Sequence, residues 1–195
     1  MIIMKRVYLA ILACILILPG IGQETLKFRF NNAKVTGSEP ARLQFDIEIM
    51  SESLGTYQSD LQVFFDYNTA AFGKDISKNK KLTVSKLELM DGKIGEEEKY
   101  LILNITDSNE GRIAIMSEYN TEAKSQTPDF YNMVPDTWKG LYRISIEIKN
   151  PSAPAGIKFC ESQMSDGEYY VTQNGSPKKY SKILYENDLL KQVLK

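Results

Sequence analysis

Histidine is absent from this 195-residue sequence, which also holds only two cysteines and one tryptophan. Without imidazole, neither a Ser-His-Asp nor a Cys-His catalytic set can be assembled, and the commonest neutral metal ligand is missing. The cysteines are Cys14, inside an N-terminal apolar run, and Cys160. Loss of that run leaves one thiol, so no intrachain disulfide can form and stability has to come from packing. Cys160 ends the strand-like Gly156-Ile157-Lys158-Phe159-Cys160, where a small buried apolar role outweighs that of a reactive nucleophile. A surplus of one charge is missing too: 24 Lys and Arg stand against 25 Asp and Glu. Basic residues group only in the short turns Lys78-Asn79-Lys80-Lys81 and Lys178-Lys179. A phosphate-tracking protein needs clustered cations for counterion release, so no nucleic acid is expected as a partner.

A long apolar run is also lacking. Val7 to Leu18 is the most apolar stretch, and it falls short of the roughly 20 residues that span a bilayer. Preceded by Lys5 and Arg6 and followed by Pro19-Gly20-Ile21-Gly22, it reads instead as a signal peptide, residues 1–22, cleaved before Gln23. The mature chain is then exported to the periplasm, the cell surface or the extracellular space, and is not transmembrane after cleavage. Ile11-Leu12-Ala13-Cys14 also resembles a loose lipoprotein box. Acylation of Cys14 would leave Ile15 to Leu18 as an apolar stub where such proteins continue with a polar tether, so cleavage before Gln23 is the reading adopted.

Beyond the leader, period-two alternation dominates. Leu26, Phe28 and Phe30 share one side of a strand with Lys27 and Arg29 opposite; Leu43, Phe45, Ile47 and Ile49 repeat the pattern, as do Leu61, Val63, Phe65 and Tyr67, with Phe64 out of phase. Further runs are Leu82 to Leu89, Tyr100 to Thr106, Ile113 to Met116, Tyr142 to Ile148, Gly156 to Cys160 and Glu168 to Thr172. These predict about nine strands. Turn residues separate them, including Gly37-Ser38-Glu39-Pro40, Asp91-Gly92, Asn150-Pro151 and Asn174-Gly175, and no long helical crossover fits between them. The expected class is all-β, an antiparallel sandwich or jelly roll spanning residues 23–180. Two segments resist that pattern. Glu118 to Lys139 reads as a wandering loop or a cover for one end of the sandwich. Residues 181–195 read as a docking tail, a frayed strand followed by a short amphipathic helix that must pack on something to persist.

Three residue groups could carry function. Asp46 with Glu48, and Asp60 with Asp66, are acids at spacings that could serve a glycosidase, but alternation places them on the polar face, where acids are solvated. The turn Thr106-Asp107-Ser108-Asn109-Glu110 offers oxygens suited to Ca²⁺; it lacks the twelve-residue EF-hand pattern, so a hairpin closed by Gly111 is expected and no metal or cofactor is assigned. Exposed aromatic faces suit sugar rings, and Trp138, Tyr169 and Tyr170 are the expected ligand-binding residues.

The stretch Leu61-Gln62-Val63-Phe64-Phe65-Asp66-Tyr67-Asn68-Thr69-Ala70-Ala71-Phe72-Gly73 resembles cohesin-like sandwich domains, in which a strand ending in Tyr-Asp or Tyr-Asn is followed by a short turn and a large apolar residue. Gly140 to Ile148, then Ala155 to Phe159, is similar to that family's penultimate strands. The resemblance runs from about Leu26 to Val171. It implies a cohesin-like jelly roll of about nine antiparallel strands, related to carbohydrate-binding modules and used in cohesins to grip dockerin partners. The wording of the motif resembles domains in type IX secretion cargo, although such cargo carries a sorting sandwich after this domain. The expected function is therefore a non-enzymatic binding module of the cell envelope, whose partner is a protein or a polysaccharide. The alternatives are a structural subunit of an envelope or secretion assembly and a carboxylate-based polysaccharide hydrolase.

Overall fold

The computed structural model describes residues 25–53, 55–121, 131–164, 170–171, 180 and 182–187. The leader, Cys14, the cleavage site before Gln23, Tyr169 and the end of the tail at 188–195 lie outside them. In chain order the strands are β1 (Thr25–Thr36), β2 (Arg42–Ser51), β3 (Tyr57–Gln58), β4 (Leu61–Asp66), β5 (Leu82–Lys86), β6 (Lys93–Ile94), β7 (Glu97–Glu98), β8 (Tyr100–Asn109), β9 (Arg112–Tyr119), β10 (Asn132–Met133), β11 (Lys139–Glu147), β12 (Lys158–Phe159), β13 (Tyr170–Val171) and β14 (Lys182–Glu186). Two one-turn helices, α1 (Thr69–Phe72) and α2 (Glu161–Met164), interrupt them.

Because side chains alternate across a strand, the apolar sets predicted from the sequence all turn to one side. Leu26, Phe28 and Phe30 of β1, Leu43, Phe45, Ile47 and Ile49 of β2, and Leu61, Val63 and Phe65 of β4 are buried. They meet Ile113 and Ile115 of β9 and Tyr142, Ile144 and Ile146 of β11 in one core. Two sheets enclose it, a five-stranded sheet in the order β14-β1-β2-β11-β5 and a four-stranded sheet in the order β12-β4-β9-β8. Aromatic rings tie the layers together. Phe30 stacks on Phe159 with centroids 3.9 Å apart, and Phe45 meets Phe65 edge-on at 5.9 Å. Ser117 and the buried Tyr142 hydroxyl are hydrogen-bonded across the core.

Nine strands thus build the two main sheets, eight of them in the predicted runs; the predicted Glu168–Thr172 strand lies instead in a small third sheet as β13, and its place is taken by β14, so that not all are antiparallel. β14 runs parallel to β1, with Thr25 opposite Lys182 and Arg29 opposite Glu186. Of the tail expected at 181–195, the described part is therefore a strand of the sandwich itself. The expected loop at Glu118 to Lys139 is corrected at both ends, since Tyr119 closes β9 and Lys139 opens β11. The shorter β3, β10 and β13 form a separate small sheet in the order β10-β3-β13, and β6 pairs with β7.

The motif after β4 has a mechanical explanation. Asn68 caps α1 by accepting from Ala70 N at 3.0 Å, and its amide donates to Pro154 O at 2.7 Å. Ala71 and Phe72 then enter the core, and Gly73 ends the turn at φ 88°, where a side chain would be strained.

A second local device is the bulge in β11 between Gly140 and Tyr142. Leu87 N and Leu89 N bond to Leu141 O and Gly140 O, both at 2.9 Å. That draws residues 87–89 so close that a Cβ on Gly140 would lie 2.5 Å from Glu88 Oε2 and 2.8 Å from Leu87 Cβ. Gly140→Ala is expected to lose about 1–3 kcal/mol through overpacking. Urea denaturation would show it as a lowered midpoint; an unchanged midpoint would mean that residues 87–89 yield freely.

Candidate functional site

The outward surfaces of the two sheets differ in the share of large apolar side chains. On the five-stranded sheet, β1, β2, β11 and β5 align polar residues in rows. Arg29 lies opposite Glu48, Asn31 opposite Asp46, and Asp46 opposite Arg143, which in turn faces Ser85. Asp46 receives Arg143 Nε and Nη2 at 2.8 and 2.9 Å and Asn32 Nδ2 at 2.8 Å. Glu48 receives Arg29 Nε at 2.7 Å and Asn31 Nδ2 at 2.9 Å. Arg42 ties three strands together, reaching Ser145 Oγ at 2.8 Å, Thr83 Oγ1 at 3.2 Å and Lys81 O at 3.0 Å.

This overturns the expectation that Asp46 and Glu48 are solvated. Their side chains are 3% and 12% exposed, because neighbouring arginines and asparagines cover them. Burial alone would raise the pKa of Asp46, but hydrogen bonds from Arg143 and Asn32 and the charges of Arg143 and Lys34 outweigh it. The carboxyl is held below its ordinary value and stays ionised.

Trp138 joins this surface. It is half-buried, and Arg29 Cζ lies 4.3 Å from its ring centroid, so a cation–π contact occupies one of the faces on which a sugar would stack. Tyr169 lies outside the described residues, and Tyr170 is described only as a strand residue, its backbone paired with Gln58. The expected grouping of Trp138 with Tyr169 and Tyr170 therefore lies outside the described residues.

The other acids are engaged in structural contacts. Asp66 pairs with Arg112 at 2.6 Å and Lys158 at 3.8 Å, and Asp60 Oδ1 accepts from Tyr119 N at 3.1 Å. In the expected β8–β9 hairpin, Asp107 Oδ2 accepts from Ser77 N and Lys78 N at 3.1 and 3.0 Å, which fastens the loop after α1. Burial and then the Asp107 charge push the phenol of Tyr67 up to about 12. Cys160 is buried with a free thiol.

The outer surface of the four-stranded sheet carries more large apolar side chains. Phe64 lies opposite Ala114, Gln62 opposite Met116, Asn104 opposite Met116 and Leu101 opposite Glu118. Phe64, which packs against the core cluster, Met116 and Leu101 are half-buried, and Leu103, on the bulge between Ile102 and Asn104, is 56% exposed. Charge stands at the ends of this apolar strip, with Asp66, Arg112 and Lys158 at one and Glu118 at the other. Sequence reasoning registered Phe64 only as a break in phase. A bulky apolar residue on the outward side of an otherwise regular strand was the signal available.

No protein-family model and no curated protein matches the sequence. Solved structures do. The second type II cohesin module of the ScaA scaffoldin of Acetivibrio cellulolyticus matches at TM-score 0.50 and 11% identity, over 84% of this chain and 94% of that one. Type II cohesin A11 from Bacteroides cellulosolvens matches at TM-score 0.53 and 12% identity, over 85% and 98%. CaCohA2 of Clostridium acetobutylicum, in a complex with CaDoc0917, matches at TM-score 0.50 and 12% identity, over 83% and 95%. With its two main sheets, their strand order and these neighbours, the chain is a cohesin-like β-sandwich.

Proposed function

We propose that this protein is a non-enzymatic binding module, exported to the cell envelope, that grips a protein partner with the outer surface of its four-stranded sheet. One observation carries the reading. The outer surface of the five-stranded sheet is occupied by its own ion pairs, whereas the opposite side carries Phe64, Met116, Leu101 and Leu103, with uncharged Gln62 and Asn104 flanking Met116 and charge in the end rows at Asp66, Arg112 and Glu118. A desolvated apolar centre with a polar rim is the anatomy of a protein interface. Export is supported by the leader pattern, and an envelope role by the resemblance of the Tyr67-Asn68 motif to type IX cargo domains. CaCohA2, which shares the fold, was solved in a complex, which favours a protein partner over a catalytic task.

The test is affinity capture of envelope proteins, followed by titration of the recovered partner. Met116→Arg places a charge at the centre of the strip and is expected to weaken binding by about 30-fold or more, the equivalent of a hot-spot loss of about 2 kcal/mol. Undiminished binding would remove the partner from this surface. A glycan array runs in parallel. Binding there that is lost in Trp138→Ala and retained in Met116→Arg would instead establish a polysaccharide as the ligand.

A further inference from the structure

Each of the two main sheets has two edges, and the edge at β8 is unlike the other three. The terminal strands β12, β5 and β14 are two, five and five residues long, whereas β8 has ten. Its first part, Tyr100-Leu101-Ile102-Leu103-Asn104-Ile105-Thr106, holds no charge, no proline and no glycine. A run of that kind at a sheet edge is a template for pairing with another chain.

The β8–β9 ladder determines which backbone groups face outward. Lys99 O accepts from Asn120 N at 3.0 Å and so turns toward the β9 side. Successive residues of an antiparallel strand turn opposite ways, so Tyr100 and Ile102 present their N–H and C=O groups away from β9. The bulge between Ile102 and Asn104 shifts the phase by one residue, and Ile105 is the next to turn outward. Two of these outward carbonyls are occupied. Lys86 Nζ donates to Tyr100 O at 2.9 Å, and Ser77 Oγ donates to Ile105 O at 2.7 Å.

Both donors are held in place by the fold. Lys86, on β5 of the other sheet, stands opposite the buried Tyr142. Its side chain therefore enters the seam between the layers, where it is 15% exposed and also pairs with Glu98 at 2.8 Å. Ser77 is fastened by β8 itself, since Asp107 Oδ2 accepts from Ser77 N and Lys78 N. A lysine aimed into an edge, a loop laid across it and a bulge within it each block edge-to-edge pairing. All three meet on this strand.

We propose that Lys86 and Ser77 hold closed a latent self-pairing site: with both donors removed, the edge of β8 from Tyr100 to Ile105 takes the same edge of a second copy, antiparallel. A second copy fits because an uncharged run is its own complement about a two-fold axis and brings no like charges together. The native side chains keep the chain from that assembly. The edge is separate from the outer surface that carries Phe64 and Met116, so self-pairing and partner binding are measured independently.

The experiment combines Lys86→Met and Ser77→Ala in the full chain and compares it with the native protein by sedimentation equilibrium over a concentration series. The double variant is expected to self-associate about ten-fold more tightly or better. Hydrogen exchange over residues 100–106 is expected to slow as it associates, because the outward amides of Tyr100 and Ile102 gain partners. Association no tighter than that of the native protein, or association without slower exchange there, would overturn the proposal. Met116→Arg added to the double variant should leave the association intact; its loss would move the contact to the outer surface of the sheet and overturn the edge. Ser77→Ala alone removes one hydroxyl from a half-buried loop residue and keeps the test open should the double variant not fold. It is expected to associate more tightly than the native protein, and no difference would count against the proposal equally.

Discussion

Phe45→Ala is expected to destabilise the sandwich by about 3–5 kcal/mol, a large share of a total that is about 5–15 kcal/mol for a domain of this kind. The side chain is fully buried on β2, which lies between β1 and β11 in the five-stranded sheet. Its ring meets Phe30 of the same sheet edge-on at 5.5 Å and Phe65 of the opposite sheet at 5.9 Å. Truncation therefore removes two aromatic contacts as well as apolar burial, and opens a void where the layers meet. Regular strands on both sides hold their spacing through backbone hydrogen bonds, so the void cannot readily collapse. Urea denaturation followed by tryptophan fluorescence measures the loss. Val35→Ala, at a partly exposed position on the same sheet, is the control and should change stability by no more than about 0.5 kcal/mol. A loss below about 1 kcal/mol in Phe45→Ala would show that the inner faces are not close-packed.

The second large effect concerns the outer surface of the same sheet. Arg143→Ala is expected to cost about 2–4 kcal/mol near neutral pH, because it leaves the carboxylate of Asp46 covered but without its main partner. The arginine is 44% exposed while Asp46 is 3% exposed, so the reverse change, Asp46→Ala, should cost less: the freed guanidinium can turn to water. The two variants also differ in their response to acid. In the native protein Asp46 is held below its unfolded value of about 3.9. Its contribution is therefore fully present above that value and is lost as the pH falls through the folded pKa. Without Arg143 the burial remains while two of the influences holding the carboxyl down are gone, so it protonates at a higher pH than in the native protein and protonation relieves the variant. The stability gap between native protein and Arg143→Ala should narrow as the pH is lowered from 7 to 4. Urea titrations at those pH values check this, and a gap independent of pH would mean that water, not Arg143, carries the Asp46 charge.

These predictions separate what was legible in the residue order from what was not. The inward sets Leu43 to Ile49 and Leu61 to Phe65 could be read directly, because opposite side-chain directions follow from the backbone of a single strand. The turn at Tyr67 to Gly73 was legible for a similar reason, since an asparagine cap, two small residues, a large apolar residue and a glycine describe one local event. Asp46 was misread because its cover comes from Arg143, 97 positions away. The apolar strip was missed because Phe64, Leu101 and Met116 become neighbours only when β4, β9 and β8 are aligned. The ligand-binding role expected of Trp138 rested on its aromatic character, and the guanidinium over its ring comes from Arg29 on a distant strand.

Residue order alone established the strands, the direction of their apolar faces and the class of fold, since each depends on periodicity within one extended segment. Pairing across the chain settled the rest. It set the last strand parallel to the first, inserted β11 between β2 and β5, buried one outward row of acids beneath arginines and aligned Phe64, Met116 and Leu101 on the opposite surface. Those outcomes depend on which segments meet, and a local alternation of side chains carries no information about its neighbour.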